Sequence, residues 1–142
     1  MKKQILFLFL LFSCLGWSQL AGAASITSPF GWRIHPISGE WAFHTGTDIG
    51  YEYGTDIVAL RDGTVVYVAP YGGYGNCVII EDERQDHQLY AHCSELLCSY
   101  GERVVRGQLI ARVGSTGNST GPHLHVEYWK DGNYVDPLEL WD

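Results

Sequence analysis

"TVVYVAPYGGYGNCVIIE", residues 64–81, decides how the rest of the chain is read. Two runs rich in β-branched and aromatic residues, 64–69 and 77–81, flank "YGGYG", a turn signal made largely of glycine. Val65, Val66, Tyr67 and Val68 are consecutive and apolar, so both faces of the first run have surface to bury. A strand of that kind is covered on two sides, as in a sandwich or a folded-over sheet.

The same punctuation continues outward. "QLYAH" (88–92), "LIARV" (109–113) and "LHVEYW" (124–129) are further strand-like runs, separated by "DERQD", "SYGE", "TGNSTGP" and "KDGN". Past residue 24, no stretch of ten or more residues keeps apolar positions at helical spacing without an interrupting glycine or proline. The pattern predicts an all-β fold, a small antiparallel β-sheet or sandwich, in a single domain over 24–142. There is no low-complexity linker and no internal repeat. Glycine makes up 17 of the 142 residues, enough to let turns approach closely and leave a groove uncovered.

The first residues follow a different rule. Lys2 and Lys3 precede an apolar run from Ile5 to Leu15, and Ala21-Gly22-Ala23 supplies small residues for cleavage. This is the layout of a secretory signal peptide over 1–23, and the run is short for a membrane span of about 20 residues. "LFSC" loosely resembles a lipobox, which would make Cys14 a lipidated N-terminus, although Phe12 is bulky for that pattern. Lys2 and Lys3 are the only charged residues before Ala24, so their removal takes the formal net charge from −7 to −9. So acidic a domain is a poor nucleic-acid binder, because that affinity rests on Lys and Arg neutralising phosphates.

Export leaves Cys77, Cys93 and Cys98 in an oxidising compartment, where one disulfide and one thiol are expected. Cys93–Cys98 is the first choice, since "SELL" between them can turn. Cys77–Cys93, across the "DERQD" hairpin, is its rival. No Cys-x-x-Cys spacing points to thiolate metal binding.

The histidines carry the chemistry. In "GPHLHVEYW" (121–129), His123 and His125 are two apart in a strand and so project to one face. In "FHTGTDIG" (43–50), His44 and Asp48 are separated by Thr45, Gly46 and Thr47, poor helix formers, so a curved extended segment bent at the glycine is expected. His92 closes the run "QLYAH". His35 could line a groove wall and His87 sits in a polar turn; neither is assigned chemistry. Two imidazoles and a carboxylate form a common catalytic zinc set with a fourth position open to water, and two further imidazoles would give acid–base help. No His-Glu-x-x-His motif is present to bring a helix-borne glutamate base.

"HTGTD", "LYAH" and "GSTGNSTGPHLHVE" resemble the lysostaphin and LytM-type zinc endopeptidases, whose pattern is His-x-x-x-Asp, a separate histidine, then His-x-His. "FGWRIHPISG" and "VDPLEL" look like the family's edges, so the resemblance covers about residues 25–141. It implies the family's small antiparallel fold, of the duplicated hybrid motif kind, with a narrow groove. It implies one Zn²⁺ per chain held by His44, Asp48 and His125, with His92 and His123 as catalytic residues. The implied activity is hydrolysis of peptide cross-links in bacterial peptidoglycan, either glycyl bridges or D-alanyl–diamino-acid bonds, by an exported, monomeric enzyme of the periplasm or cell exterior. Cys93 departs from the aliphatic residue often found after the isolated histidine. The alternative is a silent relative that binds cell wall and regulates another hydrolase; such proteins are expected to lack a ligand, and here all five positions are filled.

Overall fold

A computed structural model describes residues 24–142; the expected signal peptide, its expected cleavage site and Cys14 lie outside the described residues. Twelve strands and no α-helix occur among the described residues. They are β1 (Ser25–Ser28), β2 (Gly31–Ile34), β3 (Trp41–His44), β4 (Thr47–Gly50), β5 (Asp56–Val58) and β6 (Gly63–Pro70). After them come β7 (Asn76–Glu81), β8 (His87–Leu96), β9 (Arg103–Val104), β10 (Leu109–Val113), β11 (Leu124–Lys130) and β12 (Asn133–Val135). Short 3-10 turns cover Gly72–Tyr74 and Pro137–Trp141.

The main sheet runs β1-β4-β11-β8-β7-β6-β9, every pairing antiparallel. β10 pairs with the far half of β8 and with β5, and β2 and β3 form a separate ribbon. The expected all-β antiparallel fold is therefore the observed one. Burial on two sides holds as well. One face of the sheet packs Val65, Val78, Ile80, Tyr90 and Val126 against Ile57, Ile110 and Val113 of β5 and β10. The other carries a smaller cluster of Cys77, Leu89 and Ala91 with Tyr67, Tyr74 and Ile79. The consecutive apolar residues of β6 serve both faces because Val66 is an extra residue: Val65 pairs with Ile80 but Tyr67 with Ile79. A bulge of this kind resets the alternation, so Val65 and Val68 share the large core while Tyr67 joins the small one.

β8 departs from the expected run. It continues past His92 to Leu96, first between β7 and β11, then beside β10. "SEL" is strand rather than turn, and His92 lies inside the strand rather than at its end. The pivot is His92 itself, a non-glycine residue at φ 60°. Asn76 pairs with Cys93 and Val78 with Tyr90, so Ala91 and His92 together face Cys77. His87 is also corrected: it opens β8 and its Nε2 lies 2.7 Å from Glu81 Oε2.

Neither expected disulfide forms, and all three cysteines are free. Cys77 belongs to the small cluster and Cys93 to the large core, so their side chains leave opposite faces of the sheet. Cys98 is partly buried against the same large core as Cys93, and the two thiols stay unbonded. The closing turn Pro137–Trp141 seats fully buried Leu140 in the large core, its first turn capped by Asp136 Oδ1 accepting from the Leu138 amide.

Candidate active site

Strand register assembles the site. In β11, Leu124 and Val126 point to the large core, so His125 and Glu127 take the other face. His125 pairs across the ladder with Asp48 of β4, and the short connection Thr45–Gly46 swings His44 back beside them. Gly46 is required by close approach: a Cβ there would lie 2.4 Å from the Val126 carbonyl oxygen and 2.6 Å from His125 Cε1.

Three donor atoms converge. His44 Nε2 is 3.2 Å from His125 Nδ1 and 3.4 Å from Asp48 Oδ1, and His125 Nδ1 is 2.7 Å from Asp48 Oδ1. Their partners fix the tautomers. His44 Nδ1 contacts the Pro29 carbonyl at 3.0 Å and His125 Nε2 contacts Glu127 Oε1 at 3.0 Å; both partners can only accept, so those nitrogens carry the protons. In the neutral rings, lone pairs on His44 Nε2, His125 Nδ1 and Asp48 Oδ1 therefore face one point. Such an arrangement calls for a cation. Ligand bonds of about 2.0–2.2 Å in a tetrahedron set donor atoms about 3.3–3.6 Å apart; the 3.4 Å separation falls in that range and the 3.2 Å one just below it. The third, at 2.7 Å, is a hydrogen-bond distance in which a proton on His125 takes the cation's place. The donor set fits zinc, and the engagement of each ring's other nitrogen is the arrangement that orients metal-binding histidines.

The charges agree. Burial disfavours an ionised Asp48, yet its contacts with His125 and His44 hold it well below the usual carboxylate range. Burial also disfavours a charged His125, but Asp48 and Glu127 on its two sides push it up to about 9. Arg33 Nη1, 3.6 Å from Asp48 Oδ2, steadies the outer carboxylate oxygen.

His92 and His123 stand together at the same groove, ring centroids 4.8 Å apart. His92 Nδ1 donates to the Thr116 carbonyl at 2.7 Å and His123 Nδ1 to the Gly121 carbonyl at 2.8 Å. Each therefore keeps a lone pair on Nε2; that of His123 is 3.7 Å from Asp48 Oδ1. Burial lowers the pKa of His92, outweighing the Thr116 contact that raises it. Its left-handed backbone stores of the order of 1 kcal/mol or more, the kind of local strain that gathers at working sites.

The groove has two walls. Arg33, His35 and Ile37 line one, so His35 stands where the sequence allowed it; Gly73, Tyr74 and Asn118–Thr120 line the other. That second wall explains two glycine-rich stretches at once. The Asn118 amide donates to the Gly73 carbonyl at 2.8 Å, and a Cβ on Gly117 would sit 2.4 Å from the Gly73 oxygen. "YGGYG" and "GSTGNSTG" pack backbone to backbone.

Four residues at the site were not singled out from sequence: Arg33, Thr45, Tyr74 and Glu127. Glu127 is 2% exposed, and its Oε1 accepts from Thr45 Oγ1 at 2.7 Å, Tyr74 OH at 2.8 Å and His125 Nε2 at 3.0 Å. Strand alternation could have found it, two residues after His125; nothing local marks Tyr74.

A family model described as peptidase family M23 matches residues 42–137. The DD-carboxypeptidase/endopeptidase Mpg of Neisseria meningitidis serogroup B is 46% identical over 116 residues, covering 81% of this chain and 26% of the relative. The catalytic domain of lysostaphin from Staphylococcus simulans superposes with a TM-score of 0.76 at 26% identity, covering 89% of this chain and 96% of that one. A zinc-containing peptidase from Vibrio cholerae gives 0.74 at 36% identity, over 83% and 36%. The chain spans about a quarter of the length of the curated relatives it matches. With the matched segment running from β3 through the whole histidine constellation to the closing turn, the chain belongs to peptidase family M23.

Proposed function

We propose that this protein is an exported, monomeric zinc endopeptidase that cuts peptide cross-links in bacterial peptidoglycan, residues 1–23 being its signal peptide and 24–142 its catalytic domain. The observation that carries this reading is the convergence of three lone pairs, from His44, Asp48 and His125, in a groove that also holds His92 and His123. Relatives named as peptidoglycan DD-endopeptidases support the substrate class.

In this reading His44 Nε2, Asp48 and His125 Nδ1 hold one zinc ion. The ion, when bound, supplies Lewis-acid chemistry, polarising a carbonyl and acidifying water. His92 and His123 handle the proton. Each has Nδ1 tied to a backbone carbonyl and leaves Nε2 free, with the rings 4.8 Å apart. That proton is taken at Nε2 from the attacking water and returned to the leaving amine. Glu127 and the Pro29 carbonyl hold the liganding rings in the required tautomers. The groove walls align an extended peptide.

Digestion of defined peptidoglycans, with mass analysis of the fragments, tests the reading. New amino termini within the cross-links, formed by zinc-loaded protein and absent after chelation, are expected. Unchanged muropeptides with fully zinc-loaded protein would refute it.

A further inference from the structure

The face of the sheet that carries His125 does not end at the metal-binding residues. Along β11 it continues through Glu127 to Trp129, about 7 and 13 Å further on. There a second cleft opens, walled by Tyr71, Tyr74, Trp129 and Tyr134. Tyr71 and Tyr74 stack at 5.6 Å, and Trp129 meets Tyr134 edge to face at 4.9 Å. Ile79 and Leu89 add apolar surface.

Glu127 lines this cleft and not the catalytic groove. Its Oε1 is saturated by three donors, whereas Oε2 takes no hydrogen bond among the described residues. Nor is Oε2 among the fully enclosed polar atoms lacking a partner. A carboxylate oxygen almost buried, unpartnered and bordered by aromatic rings has a defined complement. Ring faces attract a cation, the oxygen accepts its N–H, and the apolar floor takes an aliphatic arm. A neutral sugar ring would use the aromatic walls but leave the charge unanswered. His87, at the cleft's edge, is engaged by Glu81.

We propose that this cleft is a subsite for a primary ammonium group on an aliphatic arm of the substrate, the free amino group of a diamino acid near the bond cut. Naming a peptidoglycan diamino acid rests on the proposed function; recognition of the ammonium does not.

The zinc-loaded protein is titrated with Nα-acetyl-lysine amide and with its Nε-acetylated analogue, following the side-chain indole resonances by NMR. The cationic probe is expected to bind at least about tenfold more tightly and to shift the Trp129 indole. Glu127→Gln keeps an acceptor for Thr45, Tyr74 and His125 but turns an NH₂ to the cleft, so the preference should vanish. Trp129→Leu, which touches none of the liganding residues, should weaken the cationic probe selectively. Equal binding of the two probes, tighter binding of a chitotriose control, or a preference unchanged in both variants would overturn the proposal.

A second arm separates this from the proposed function. Cross-linked peptides differing only in acetylation of the free side-chain amine should differ about tenfold in kcat/KM. Cleavage with equal kcat/KM sinks the subsite and leaves the peptidase; selective probe binding without any cleavage does the reverse.

Discussion

Asp48 and His125 divide the labour at the scale of single residues, and pH reads that division. In the metal-free protein His125 is held up to about 9, so below that pH zinc must displace a proton from Nδ1. Apparent zinc affinity is expected to rise about tenfold per unit between pH 7 and 8.5, as measured by chelator competition. Stability runs the other way. A histidine whose folded pKa is raised contributes fully below its unfolded value of about 6.5 and loses that contribution as pH rises through about 9. The Tm of metal-free protein should therefore fall across that window. His92 has the opposite sign: its pKa is lowered, so its contribution is present above about 6.5 and is lost as pH falls through the folded value. Substitution separates the roles. His44→Ala, Asp48→Ala or His125→Ala should abolish zinc binding, whereas His92→Ala and His123→Ala should retain the metal and lose about a hundredfold or more in turnover. Metal analysis beside rate measurements checks this; full zinc occupancy in His125→Ala would remove that residue from the ligand set. Which residue types gather here was legible from spacing. Which nitrogen each presents was not, because Pro29 and Glu127 set the tautomers from elsewhere in the fold.

The β4–β11 pairing is the element on which the site depends, and it tolerates no side chain at Gly46. Gly46→Ala is expected to cost about 1–3 kcal/mol by overpacking and to lose zinc, since the added methyl meets the Val126 carbonyl and the His125 ring. Gly121→Ala, where a Cβ meets nothing within 4 Å, is the control and should leave urea denaturation unchanged. Thr47, the neighbouring position of β4, has a fully buried hydroxyl without a partner among the described residues. Thr47→Val should be neutral or stabilising in the same assay, because it removes a desolvated polar group at constant shape. The sequence already called for glycine between His44 and Asp48, as a bend. The bend is present at Gly46, and close approach to β11 adds a second demand for glycine, made by a strand roughly eighty residues away.

Across the whole molecule, two faces of one sheet decide the fate of the cysteines and of the chain's last turn. Cys77 and Cys93 are buried on opposite faces, and burial pushes each thiol up to about 12. In native protein Cys77 and Cys93 should therefore react slowly with a thiol reagent while half-buried Cys98 reacts first, all three described thiols should titrate after unfolding, and reductant should leave Tm unchanged. A Cys77–Cys93 disulfide found by non-reducing peptide mapping would contradict the opposite faces those two residues take. Leu140 closes the large core, and Leu140→Ala is expected to cost about 2–5 kcal/mol in urea denaturation. By itself the sequence determined the strand-and-turn pattern, as in 64–69, 77–81, 109–113 and 124–129, and the pairing of His123 with His125 on one face. Those features follow from local rules: side-chain alternation, and the turn preferences of glycine, asparagine and aspartate. The tertiary structure alone decided where β8 ends, which faces the cysteines take, and that Glu127 and Tyr74 stand behind His125. Register and bulges are chosen by packing between strands distant in sequence, and a shift of one residue there reverses every side chain's face.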